Sequence, residues 1–183
     1  MPGPVFLDGD RLALRVPAAD DVDFLARNLN DPRVRAGKTA RFPTARSDVE
    51  SYVGGRTGRS DDSLVLLACE DERPVGVVLL NREKMGDDVY DRGELAYWVA
   101  PSEQGNGYAT AASSLLVDHA FDGLGLHKLT ARAFESNVGS RRVLEKLGFQ
   151  REGTFRDEVF VDGAWEDYYR YGLLREEWAD DQG

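Results

Sequence analysis

Polar and apolar positions along the 183 residues change period repeatedly, and each change marks an element. From Arg11 to Val16 apolar and charged residues alternate, the period of a half-buried strand. Val22, Leu25, Ala26 and Leu29 recur at helical spacing behind Asp20-Asp21, which supply a cap and first-turn acids; Asn30-Asp31-Pro32 stops that helix. Ser47-Asp48 opens a second helix through Val49, Tyr52 and Val53, closed by Gly54-Gly55 and followed by a turn-rich loop, Arg56 to Ser63. Leu64 to Glu70 and Pro74 to Asn81 predict paired strands about a tight turn at Asp71-Glu72-Arg73, with Lys84 to Arg92 a polar connection. Then come a strand from Glu94, a turn at Pro101, a glycine-rich loop, and a helix from Ala109 to Phe121 with Ala112, Leu115, Leu116 and Ala120 inward. Lys128 to Phe134 alternates as a strand, and Val138 to Leu147 is a helix with Asn137 as cap and Gly148 as its left-handed stop. Phe155 to Val161 and Trp165 to Leu173 form a hairpin through a type I′ turn at Asp162-Gly163. The order β-α-α-β-β-β-α-β-α-β-β predicts an α/β fold, a mixed sheet with helices on both faces. One domain over residues 1–178 is expected, with a frayed tail from Ala179 to Gly183.

Candidate chemistry concentrates in Gln104-Gly105-Asn106-Gly107-Tyr108-Ala109. Gly105 and Gly107 carry no Cβ, so the backbone can take positive φ there and gather several N–H groups at one point. A helix opening near Gly107 adds unpaired N–H groups and the positive end of its dipole. The result is an anion site suited to a phosphate or diphosphate. A P-loop would need Lys-Ser/Thr where Tyr108-Ala109 stand, and a dinucleotide fingerprint a third glycine where Thr110 stands.

Gln104, Gly107 and Ala109 fall on the fixed positions of Gln/Arg-x-x-Gly-x-Gly/Ala, and the loop resembles the coenzyme A loop of the GNAT superfamily of N-acetyltransferases. The run from Leu126 to Gly153, including Asn137, Ser140, Gly148 and Phe149, resembles the RimJ/RimL branch of ribosomal-protein N-terminal acetyltransferases, as does Gly9 to Arg15. The resemblance therefore covers nearly the whole chain. It implies a mostly antiparallel sheet with one splayed parallel strand pair, the Glu94 strand beside the Lys128 strand, and the pantetheine arm of acetyl-CoA in the gap. It implies an amine acceptor too, a protein N-terminus or a small molecule such as a polyamine, amino acid or antibiotic. A catalytically silent acetyl-CoA-binding module is the reading from a different class.

Acetyl transfer from a thioester to an amine needs a held donor, a neutral amine, an oxyanion donor and a proton for the leaving thiolate, and it needs no metal. The resemblance assigns coenzyme contacts to the main chain of Trp98 and Val99, to Gln104, Gly105, Asn106, Gly107, Tyr108 and Ala109, and to the Asn137 amide. It makes the Ser140 hydroxyl the proton donor to sulfur. Asn137 also reads as a plain helix cap and Ser140 as a first-turn residue. Glu94 is the candidate base: it shares a strand face with Ala96 and Trp98, an apolar setting that raises a carboxyl pKa. Its alternative is a salt bridge with an arginine such as Arg92. Two positions depart from the family. Ala111 stands where many relatives carry Glu, and the base that the ribosomal branch places around Val159 is matched only by Glu158, which a regular strand turns the other way.

Charge narrows the partners. A net charge of -10 argues against nucleic-acid binding, which wants a basic face. No apolar run approaches the roughly 18 to 20 residues that span a bilayer, and no signal-peptide core opens the chain, so a cytoplasmic monomer or homodimer is expected. Cys69, the only cysteine, sits in an apolar run as a small buried hydrophobe. Asp outnumbers Glu and the lysines are Lys38, Lys84, Lys128 and Lys146, an acidic, Lys-poor surface suited to high salt and a halophilic source. Against that acidity Arg33, Arg35, Lys38, Arg41 and Arg46 follow one another without an acid, as a solvated loop or an acceptor contact. His119 reads as a flank or core histidine of the Ala109 to Phe121 helix.

Overall fold

The computed structural model describes residues 2–38, 42–53, 63–83 and 92–181. Arg41, the Gly54-Gly55 stop, the loop up to Asp62, the connection from Lys84 to Asp91 and the last two residues lie outside the described residues. Eight strands form one sheet in the order β1-β2-β3-β4-β5-β6-β8-β7. They are β1 (Val5–Asp8), β2 (Ala13–Arg15), β3 (Ser63–Glu70), β4 (Arg73–Glu83), β5 (Arg92–Val99), β6 (Lys128–Phe134), β7 (Gln150–Val161) and β8 (Ala164–Leu174). Every neighbouring pair is antiparallel except β5 with β6.

Six α-helices accompany the sheet in the described residues: α1 (Val22–Leu29), α2 (Pro32–Ala36), α3 (Arg46–Val53), α4 (Tyr108–Asp118), α5 (Val138–Lys146) and α6 (Arg175–Asp181). They cover both faces because strand residues alternate between two apolar clusters. Leu66, Val78, Leu80 and Leu95 point with Leu129 toward Leu116 and Leu144 of α4 and α5. Leu67, Cys69, Val77 and Trp98 point toward Val22, Leu25, Val34 and Val49 of α1 to α3. Burial pushes the Cys69 thiol up to about 11, so it is packing material and not a nucleophile. Leu116 is fully buried in the first cluster. Leu116→Ala is expected to cost about 2 to 5 kcal/mol, read as a lower urea midpoint with an unchanged slope.

Where the fold departs from the periodicity, a local cause is visible. β1 escapes the alternation rule because Val5 and Phe6 are both largely exposed on an edge strand. Asn30-Asp31-Pro32 ends α1 as expected, but it also starts α2: the Asp31 carboxylate accepts from the Arg33 N–H and Pro32 occupies the first turn, where its missing N–H costs nothing. α6 continues through Ala179 to Asp181, inside the stretch expected to fray; just before that stretch Trp178 is buried and its Nε1–H donates to Asp118 Oδ1 at 2.8 Å. Asp162 and Gly163 both have positive φ, as a type I′ turn requires.

Candidate active site

β5 and β6 pair only at Arg92↔Lys128, Gly93↔Leu129 and Glu94↔Thr130. Beyond that, β5 stays with β4 as far as Val99 and β6 stays with β8 as far as Phe134, so the two strands part and a fork opens. The register decides which main-chain groups line it. Ala100 N–H donates to Val75 O at 2.8 Å, which by alternation commits Trp98 to Val77 of β4 and turns the groups of Tyr97 and Val99 toward the fork. Trp98 is therefore corrected as a main-chain contact: its backbone belongs to the sheet, and its ring stacks on Phe24, centroids 5.9 Å apart. Val99 turns its main chain toward the fork, and its carbonyl accepts from Gln104.

The loop follows from the end of β5. Gln104 Nε2 donates to Val99 O at 3.3 Å, and Asn106 Nδ2 donates to Glu103 O at 3.2 Å, so both side chains brace the loop and leave its main chain to any ligand. Gly105 and Gly107 take φ of 84 and 80. Among the described residues no side chain caps α4, and its first bond runs from Ala111 N–H to Gly107 O, leaving the N–H groups of Tyr108, Ala109 and Thr110 without intrahelical partners. These donors and the fork share one end of β5. A groove of about 470 Å³, bordered by Arg11, Gly107, Thr110, Ser114 and Lys146, runs on beside α4.

On the α5 side of the fork, Asn137 Oδ1 accepts from Ser140 N–H at 3.1 Å, so the cap is real and only the amide nitrogen is left for a ligand. Ser140 Oγ lies 3.0 Å from Tyr97 Oη, which also approaches Ser140 O at 3.0 Å. Tyr97 is the residue that sequence reasoning missed; its signal was a lone hydroxyl in an apolar strand next to the glycine loop. Burial raises its pKa above the usual tyrosine range.

Glu94 stands at the root of the fork on the opposite face, with Trp98. Its expected apolar setting is corrected: Arg132 of β6 binds both carboxylate oxygens, Nη2 to Oε2 at 2.7 Å and Nε to Oε1. The salt bridge is the alternative foreseen for Glu94, with Arg132 in place of Arg92. Glu158 falls in a break of the β7–β8 register between Phe155 and Val159, where Asp157 has φ 49, so strand alternation does not decide its direction; it is exposed. In the basic segment, Arg33 pairs with Asp31 at 2.9 Å, and Arg46 pairs with Asp23 and with Glu50.

Residues 11–150 match the acetyltransferase (GNAT) domain model. The chain belongs to the GNAT acetyltransferase family. Within this GNAT chain, 92 residues are 39% identical to the putative ribosomal N-acetyltransferase YdaF of Bacillus subtilis strain 168, covering 50% of each protein. Over 90 residues it is 31% identical to the spermidine N(1)-acetyltransferase of Escherichia coli strain K12, covering 49% of the chain and 48% of the relative. These matches span about half the length of both relatives. Mycobacterium smegmatis RimJ in complex with CoA-disulfide superposes with a TM-score of 0.78 at 28% identity, over 96% of this chain and 88% of that one. The GNAT fold expected from the residues is the fold observed.

Proposed function

We propose that this GNAT chain transfers the acetyl group of acetyl-CoA to the α-amine of a protein N-terminus. Acetyl transfer rests above all on one observation, the fork that opens past Glu94 next to the uncapped start of α4. The loop N–H groups of residues 104 to 109 hold the diphosphate, and Arg11 and Lys146 beside the groove suit the remaining phosphate. The pantetheine lies in the fork against the main chain of Tyr97 and Val99, whose N–H groups supply the oxyanion donor. The Asn137 amide nitrogen completes the hold. The acyl carbon then has the Tyr97 and Ser140 hydroxyls on one face of the sheet and Glu94 on the other. The neutral amine attacks from the Glu94 side and the C–S bond breaks as the tetrahedral intermediate collapses; the thiolate takes a proton from the hydroxyl side, and the proton shed by the new amide nitrogen goes to solvent.

The choice of an α-amine rests on Arg132. Its guanidinium engages both Glu94 oxygens and so occupies the carboxylate that an incoming ammonium would otherwise meet, and it repels a polycation itself. An α-amine, with a pKa of about 8, needs little deprotonation; a primary alkylamine near 10.4 needs far more. Thiol release measured with peptides of varied N-termini, spermidine and free amino acids tests the choice. Turnover with the peptides is expected, and turnover with spermidine alone would replace this acceptor by the polyamine.

A further inference from the structure

We propose that Glu70 and Arg73, at the base of the β3–β4 turn, are positioning residues that set the glycine loop for the diphosphate of the coenzyme. The inference rests on the reading of residues 104 to 109 as the diphosphate site. The loop is flanked by two side chains that leave it in the same direction. Before it, Glu103 Oε1 takes Arg73 Nη1 at 2.7 Å. After it, the Tyr108 hydroxyl donates to Glu70 Oε1 at 2.6 Å. The two anchors are joined, because Arg73 Nη2 binds Glu70 Oε2 at 2.6 Å. Glu70 and Arg73 are direct cross-strand partners closing the two-residue turn, so their own geometry is fixed by the hairpin.

The clamp answers a physical need. Two glycines with positive φ cost backbone entropy to order, and none of the described residues approaches within 4 Å of where a Cβ on Gly105 would sit, so their packing does not hold that residue. Fixing both ends of a four-residue span replaces that missing packing. Arg11 adds a third point: its guanidinium lies 4.9 Å from the centre of the Tyr108 ring, and Nη1 comes to 3.0 Å of where a Gly107 Cβ would lie. Exposed ion pairs contribute little to global stability, and this one has Glu70 and Arg73 side chains 37% and 49% exposed. Its value is in preorganisation: donors already aimed at the diphosphate do not pay for ordering when the ligand arrives.

The test compares two acetyl donors, acetyl-CoA and acetyl-pantetheine, which lacks the diphosphate, in the wild type and in Glu70→Gln, Arg73→Ala and Arg73→Lys. With acetyl-CoA, Glu70→Gln and Arg73→Ala are expected to raise KM roughly five- to tenfold at nearly constant kcat, and Arg73→Lys to recover part of the loss. With acetyl-pantetheine, kcat/KM should be unchanged in every variant, because no diphosphate reads the loop. Tyr108→Phe combined with Glu70→Ala should be no worse than Glu70→Ala alone, because truncating Glu70 already removes the acceptor of the Tyr108 hydroxyl together with the partner of Arg73. Equal losses with both donors, or an unchanged KM for acetyl-CoA, would overturn the positioning role. A wild type that uses both donors equally well would instead remove the diphosphate site itself.

Discussion

Gly107→Val is expected to lower acetyl-CoA affinity more than about 100-fold, roughly 3 kcal/mol, in a protein that still folds. Gly107 has φ 80 at the residue that caps α4, and a β-branched side chain is a genuine outlier in that region. Valine would have to return to negative φ, which swings the N–H groups of the first turn away from the point where they converge. Space is the lesser obstacle, because the new Cβ comes to 3.0 Å of Arg11 Nη1, the end of a flexible side chain that can give by a few tenths of an ångström; the left-handed φ carries the effect. Gly105→Ala is the comparison. It carries a similar φ of 84 but open space around the new Cβ, so only the left-handed strain of about 1 to 2 kcal/mol remains and the loss should be near tenfold. Calorimetric titration measures both. If valine at position 107 leaves the affinity of a folded protein untouched, the loop is not the coenzyme site.

The glycine loop was legible in the sequence because it depends on local properties, the absence of two Cβ atoms and the start of a helix. The same holds for the Asn137 cap, whose bond to Ser140 N–H spans three residues. What escaped depends on pairing across the sheet. Trp98 and Val99 are adjacent, and only the Val75 to Ala100 bond shows that they present their main chains to opposite sides. Glu94 looked apolar from its neighbours on β5, but its partner is 38 residues away on β6, and the parallel register brings the two together. The interrupted β7–β8 register undoes any parity argument across it, so the direction of Glu158 could not be counted from Val159. Short helices escaped for another reason. The five residues of α2 are too few for a stripe, and their start is written in Asp31-Pro32, the same residues that end α1.

The other large effect concerns the leaving group. Tyr97→Phe with Ser140→Ala is expected to lower kcat by about 100- to 1000-fold, while KM for acetyl-CoA changes little. The pair lies 3.0 Å apart and either hydroxyl can donate to the other, so either can deliver a proton to sulfur, and the pair then recovers the lost proton from solvent. Single variants should therefore lose much less than the double, a non-additivity that separates a shared relay from two independent structural contacts. The pH profile gives a second reading. Burial raises the Tyr97 pKa, and a raised pKa means that the neutral, donating form survives to higher pH than in a free tyrosine. No descending limb should then mark the usual tyrosine value of about 10. The ascending limb should report deprotonation of the amine, because a free amine is the nucleophile. A double variant with wild-type kcat would place the proton source elsewhere, and a wild-type limb near 10 that disappears in Tyr97→Phe would show a hydroxyl far less shielded than the fold makes it.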